Sequence, residues 1–192
     1  MRRIILLTLL ACGCASRPEH LAPEDDLADA SWALVDQDGA ALAFPAALAG
    51  RPAVVTAVYT QCPDVCLATM ANVLRVRQAL GADTARVAFL TISFDPARDT
   101  PAVLRRYART WGVGGDWRLA TGDSATVAGL TGRLGIRTEV SSRDTLADGR
   151  ASYLLSHTDK MLLLDAPGAV ETYGGTAAPP QMVADDARAL LQ

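Results

Sequence analysis

The sequence predicts one α/β domain, a central mixed sheet flanked by helices and preceded by an N-terminal hairpin. Three observations carry this. Short apolar runs rich in β-branched residues alternate with segments whose apolar residues recur at helical spacing, as in strands joined by crossover helices. Near the end, two strand-like runs separated by a tight turn precede a last helix, which adds antiparallel strands to the sheet. The chain has 192 residues, 50% of them hydrophobic and 20% charged, enough for one core plus an N-terminal appendage and ordinary for a globular protein.

The elements follow in order. Trp32 to Val35, the turn Asp36-Gln37-Asp38-Gly39 and Ala41 to Phe44 form the hairpin. Val54 to Tyr59 is a buried strand, and Pro63 to Leu80 is helical, with Met70, Val73, Leu74, Val76 and Leu80 on one stripe and Gly81 at its end. Val87 to Phe94 is the next buried strand. Thr100-Pro101 supplies an N-cap and a first-turn proline for a helix to about Trp111, stopped by Gly112. Trp117 to Ala120 is a short strand, and Ser124 to Leu134 a helix ended by Gly135. Ser141 to Arg150 is polar and reads as a loop. Met161 to Asp165 and Val170 to Tyr173 flank a turn, and Pro180 to Leu191 closes the chain as a helix. No internal repeat or low-complexity run interrupts the series. The order resembles the thioredoxin fold.

The N-terminus reads as an address. Met1-Arg2-Arg3 is positive, Ile4 to Ala11 is apolar and too short to span a bilayer, and Leu9-Leu10-Ala11-Cys12 resembles a bacterial lipoprotein signal with Cys12 as the lipidated residue and Cys14 the lesser candidate. Residues 1–14 are therefore expected to be the signal, 15–30 a flexible tether, and 31–192 the domain. The folded part is then extracytoplasmic, on the periplasmic side, where disulfides form and thiols must be kept reduced. His20, in the tether, is expected to be solvated.

A net charge of -3 and the lack of any basic run argue against nucleic-acid binding. Two of the four cysteines, Cys62 and Cys66, lie between a buried strand and a helix start, in Thr60-Gln61-Cys62-Pro63-Asp64-Val65-Cys66. A helix N-terminus favours thiolate and should lower their pKa. The spacing puts both sulfurs on one side of the helix start, within reach of a disulfide or a shared soft metal. Four readings stay open: a stabilising disulfide, a dithiol oxidoreductase with Cys62 as exposed nucleophile and Cys66 as resolving thiol, a metal site, and a peroxidase. Thioredoxin-type enzymes space their cysteines by two residues; here three intervene.

Ser156-His157-Thr158 precedes the strand at Met161. In a thioredoxin fold that loop faces the cysteines and carries a cis-proline, yet no proline lies between Pro101 and Pro167. His157, the only histidine of the expected domain, stands there instead. Two thiolates and one imidazole suit copper, as Cu(I) or Cu(II); zinc usually takes a fourth ligand. A satisfied loop histidine is the bland alternative.

Val58-Tyr59-Thr60-Gln61-Cys62-Pro63-Asp64-Val65-Cys66 resembles the Y-T-x-C-P-D-x-C-P motif of the Sco/SenC family. Ser93-Phe94-Asp95-Pro96-Ala97-Arg98-Asp99-Thr100-Pro101 resembles its second motif, S-x-D-P-x-R-D-T-P, and His157 with Asp165-Ala166-Pro167-Gly168 the third. The similarity spans roughly residues 32 to 190. Leu67 departs from the usual proline after the second cysteine, Ser156 from the usual acidic residue before the histidine, and Ala166 is an extra residue in the turn.

The resemblance implies a copper metallochaperone rather than an enzyme. Cys62, Cys66 and His157 would be the ligands, the copper-receiving subunit of cytochrome c oxidase the recipient, and a thiol reductant a second partner. Thiol–disulfide exchange by Cys62 and Cys66 is the alternative function. A peroxidase ranks last, for want of an evident Arg and Thr arrangement around the first cysteine. Asp95, Arg98 and Asp99 read as turn, cap and surface charges. Met70, Met161 and Met182, with Tyr59 and Trp111, read as core, and Asp64 as solvated.

Overall fold

A computed structural model describes residues 20–191 except 22, 49, 146–148, 150 and 167. Cys12, Cys14 and the rest of the signal lie outside the described residues. In chain order the elements are β1 (Asp25–Asp26), β2 (Trp32–Asp36), β3 (Ala41–Phe44), β4 (Ala53–Val58), α1 (Val65–Leu80), β5 (Ala88–Ser93), α2 (Pro101–Trp111), β6 (Trp117–Thr121), α3 (Ser124–Arg133), β7 (Thr138–Thr145), β8 (Ala151–His157), β9 (Lys160–Leu164), β10 (Ala169–Gly174) and α4 (Pro180–Ala189).

The main sheet runs β1-β10-β9-β4-β5-β6-β2-β3. β4, β5 and β6 are parallel, while β9 pairs antiparallel with β4 and β10 with β9. The segment β10-β9-β4-β5 is the thioredoxin-like core that the element order predicted. All six residues of β4 and all six of β5 are buried, as expected of parallel strands covered on both faces. Cys66, Met70, Val73, Val76 and Leu80 form the buried stripe of α1, which packs against α4.

Local chemistry sets the boundaries. Thr100 Oγ1 accepts from Val103 N, Pro101 opens α2, and Gly112 ends it at φ 64°, a left-handed conformation open to glycine. The β2–β3 turn is held by Asp36, whose Oδ1 accepts from the amides of Asp38 and Ala40, both at 2.9 Å.

Several expectations need correction. The polar run 141–150 is not a loop throughout: β7 takes in Thr138–Thr145 and pairs with β8 as a separate two-stranded sheet, from Thr138↔His157 to Thr145↔Ala151. Every residue of β7 is exposed, so no alternation of buried and exposed residues marks it in the sequence. His157 consequently ends a strand instead of sitting in a loop.

The expected tether is packed onto the domain from residue 20. β1 pairs with β10, Leu21 and Leu27 are buried, and His20 Nε2 lies 2.9 Å from Asp186 Oδ1 instead of being simply solvated. Met182 is 43% exposed and is not core, whereas Met70 and Met161 are fully buried.

Replacing Leu27 by Ala removes a fully buried side chain contributed by this packed segment. It should cost about 3 kcal/mol and lower the melting temperature by roughly 6–12 °C. Asp29→Ala, at an exposed neighbour, should leave it unchanged; equal melting temperatures for both variants would return the segment to the role of a tether.

Candidate metal centre

The site lies where β4 ends and α1 begins. Tyr59 and Thr60 leave the strand, and Cys62 N donates to Tyr59 O at 3.2 Å, closing a turn before the helix. Asp64 occupies the N-cap position without a side-chain cap and is exposed. The Cys62 sulfur serves instead: Cys66 N donates to it at 3.4 Å. Cys62 therefore sits where the helix presents its unpaired amides, and Cys66 is already inside the first turn.

The second motif fixes this loop from below. Asp99 is fully buried, and its carboxylate accepts from Thr60 N (2.9 Å), Thr60 Oγ1 (2.6 Å) and Ser93 Oγ (2.6 Å). Burial pushes its pKa up, against the pull of these hydrogen bonds. Asp95 is buried too, with its side chain 4% exposed, and pairs with Arg98. These residues are not the surface charges the sequence suggested. Packing makes them an internal scaffold.

His157 enters from the end of β8. Its ring lies 4.7 Å from the Phe94 ring and edge-on to Tyr59 at 6.2 Å. Nδ1 is 3.1 Å from Thr158 O. A carbonyl only accepts, which assigns the ring proton to Nδ1 and leaves Nε2 an acceptor. Nε2 lies 3.2 Å from Cys66 Sγ.

The following residue pair is also anchored. Asp159 accepts from Thr69 Oγ1 of α1 at 2.8 Å and from Thr176 N and Oγ1, both at 2.7 Å. A Cβ on Gly175 would come within 2.0 Å of that carboxylate, so any side chain there would push Asp159 off its partners.

Cys62 Sγ, Cys66 Sγ and His157 Nε2 or Nδ1 thus converge, with all ligand atoms within 4.8 Å of one another. Both cysteines are free thiols, which is not the stabilising disulfide. Cys62 is 7% exposed and Cys66 fully buried, so Cys62 is not the exposed nucleophile of the oxidoreductase reading. His157 opens onto a depression of about 540 Å³ lined by Arg137, Thr138, Glu139, Ser156 and Thr158.

The expected lowering of thiol pKa fails at Cys66. Burial pushes it well above the usual thiol range, and the neighbouring Cys62 adds to the rise. The arrangement suits a soft cation whose charge would replace the Cys66 proton.

Met70 is not part of the centre, since its sulfur faces Thr91 Oγ1 at 3.8 Å in the core. Tyr59 is core, as expected, but its hydroxyl also meets the backbone of β8 at Leu155. Arg98 reaches Gln61 Oε1 beside Cys62 at 3.1 Å, yet Asp95 and Tyr153 O also engage its guanidinium. Sequence reasoning missed Tyr153 and Asp159; the spacing of Asp159 two residues after His157 was the only signal available.

A match to the SCO1/SenC family covers residues 22–192. A protein of Stutzerimonas stutzeri named as a putative copper-binding protein is 28% identical over 181 residues, 88% of this chain and 85% of that one. An SCO2-like protein of Rickettsia felis is 26% identical over 135 residues, 70% of this chain, and the matched part spans 63% of that protein's length. The structure of Bradyrhizobium japonicum ScoI with copper bound superposes with a TM-score of 0.69 at 28% identity, covering 82% of this chain and 96% of that one.

Alkylation reads the Cys66 thiol directly. At neutral pH iodoacetamide should modify Cys66 slowly in the folded protein and rapidly after unfolding, and the folded-state rate should climb as the pH rises into the alkaline range. Fast modification of folded Cys66 at neutral pH would mean that the helix N-terminus outweighs burial.

Proposed function

The chain belongs to the SCO1/SenC family, and we propose that it is an extracytoplasmic copper chaperone holding one ion through Cys62, Cys66 and His157. The observation that carries this reading is the convergence of two thiols and one imidazole within 4.8 Å. Among the described residues, these are the only three His, Cys, Asp or Glu side chains found so grouped. Two soft sulfurs with one borderline nitrogen are the donor set of copper, and relatives bearing copper in their names support the choice.

The chain's own residues prepare the site. Thr158 O holds the Nδ1 proton, so that Nε2 is unprotonated and turns its lone pair to the Cys66 thiol. Cys66 keeps its proton until a cation takes its place, so binding releases it. His157 borders an open depression, and a three-ligand ion leaves a position for an incoming donor, which suits handover by ligand exchange.

The recipient in this reading is the copper-receiving subunit of cytochrome c oxidase, and a thiol reductant keeps Cys62 and Cys66 reduced for loading. Lipid on Cys12 would hold the domain at the membrane on the periplasmic side. No described helix is long and apolar enough to cross a membrane. Thiol–disulfide exchange through Cys62 and Cys66 is the second reading, favoured by the two free thiols lying side by side.

Copper titration of the reduced protein beside His157→Ala separates the two. One copper per chain is expected, with affinity falling by about 100-fold or more in the variant. If copper binds equally well without His157, or not at all while the pair cycles as a disulfide reductase, the chaperone reading falls. The sign of the pH dependence follows from Cys66: its proton competes with the metal, so affinity should rise by about tenfold per pH unit for each proton released, below the thiol pKa. A pH-independent affinity would exclude ligation by a thiol that is protonated in the free protein.

A further inference from the structure

β8 carries His157, yet among the described residues it shares no ladder with the main sheet and its one strand partner is β7. Its other edge faces the body of the domain, and side chains meet the backbone groups there in place of a strand. Arg98 Nη1 donates to Tyr153 O at 2.8 Å. The Tyr59 hydroxyl accepts from Leu155 N at 3.2 Å and donates to Leu155 O at 3.4 Å.

A compact ionic group backs these contacts. The Arg98 guanidinium lies 3.5 Å from the centroid of the Tyr153 ring and 5.5 Å from that of Tyr59. Arg98 Nε pairs with Asp95 Oδ2, and Asp95 Oδ1 accepts from the Tyr153 hydroxyl at 2.6 Å. Arg98 and Asp95 side chains are 14% and 4% exposed, so solvent screens the pair far less than a surface salt bridge. Arg98 Nη1 also donates to Gln61 Oε1, one residue before Cys62.

We propose that the Asp95–Arg98–Tyr153 clasp is a positioning device that docks the β7–β8 arm, holds His157 against the Cys pair, and thereby sets how readily copper leaves the site. Its consequence for copper rests on the chaperone reading above; its geometry does not. β7 is exposed along its whole length and gives the arm no buried face of its own, so the arm is held through β8, at Tyr153 by the clasp and at Leu155 by the Tyr59 hydroxyl. Loosening the clasp at Tyr153 frees the imidazole and leaves the two thiols and the main core in place, whereas loss of Arg98 also removes its bond to Gln61 beside Cys62. Arg98 and Tyr153 are positioning residues that touch no metal.

Tyr153→Phe removes one oxygen and keeps the ring; Arg98→Met keeps the aliphatic stem and removes the fork. Two readouts are needed, each beside wild type and His157→Ala. In the copper-free protein, the ¹⁵N signals of His157 should report the Nδ1-protonated tautomer, and both variants should move them toward the averaged signals of a free neutral imidazole. In the Cu(I)-loaded protein, release to a chromogenic Cu(I) chelator should be about 10- to 100-fold faster in Arg98→Met, less so in Tyr153→Phe, at an unchanged one copper per chain.

Folded variants with wild-type His157 signals and wild-type release overturn the clasp. If Arg98→Met fails to fold, Tyr153→Phe decides by the same two measurements. If His157→Ala releases copper at the wild-type rate, the chaperone reading fails instead, and the copper-free ¹⁵N signals still decide the clasp.

Discussion

The Asp99 carboxylate accepts three hydrogen bonds where β4 and β5 emerge side by side, two from Thr60 and one from Ser93. The rest of the centre depends on this arrangement. Thr60 begins the loop that carries Cys62, and Ser93 ends the strand that leads to Asp95 and Arg98. A buried acceptor with three donors fixes both chain ends, because leaving any of those groups unpaired in the interior would cost more than the hydrogen bond itself contributes. With the loop fixed, Cys62 meets the first amides of α1 and Cys66 falls inside the helix. Two motifs that lie about thirty residues apart in sequence become one structural unit.

Burial and charge then oppose each other at the thiols. The helix start favours thiolate, but Cys66 has lost its water and its pKa rises. A cation reverses the balance, since its own charge stabilises the thiolates where solvent no longer does. A Cys66 thiol kept protonated by burial offers no resting thiolate for exchange chemistry.

The His157 imidazole reaches the thiol pair from a different kind of element. The β7–β8 arm is joined to the domain by side chains on one strand edge, whereas the cysteines are set by the core sheet and helix. The Tyr59 hydroxyl links the two regions: its ring is buried beside the Cys loop while its oxygen meets Leu155. Rigid thiols and a separately docked imidazole are a physical basis for taking up and giving up an ion by changing one bond at a time.

Local signals made much of this legible. The β-branched runs of β4 and β5 and the caps of α2 are short-range chemistry, and so the core order could be read along the chain. The Cys pair at a strand-to-helix junction and the single histidine near the last hairpin marked the candidate ligands. The sequence by itself determined the thiols and imidazole that are the candidate donors, and the elements on which the two cysteines sit. Only the tertiary structure decided that β7 is a strand, because its pairing partner supplies hydrogen bonds and no buried face writes a pattern. Only it put Asp95, Arg98 and Asp99 inside, because their burial comes from Thr60, Ser93 and Tyr153, residues 6 to 58 positions away in the hydrogen bonds they make. It also turned a helix-start thiol into one with a raised pKa at Cys66, since desolvation depends on everything packed around the sulfur and not on the residues beside it in the chain.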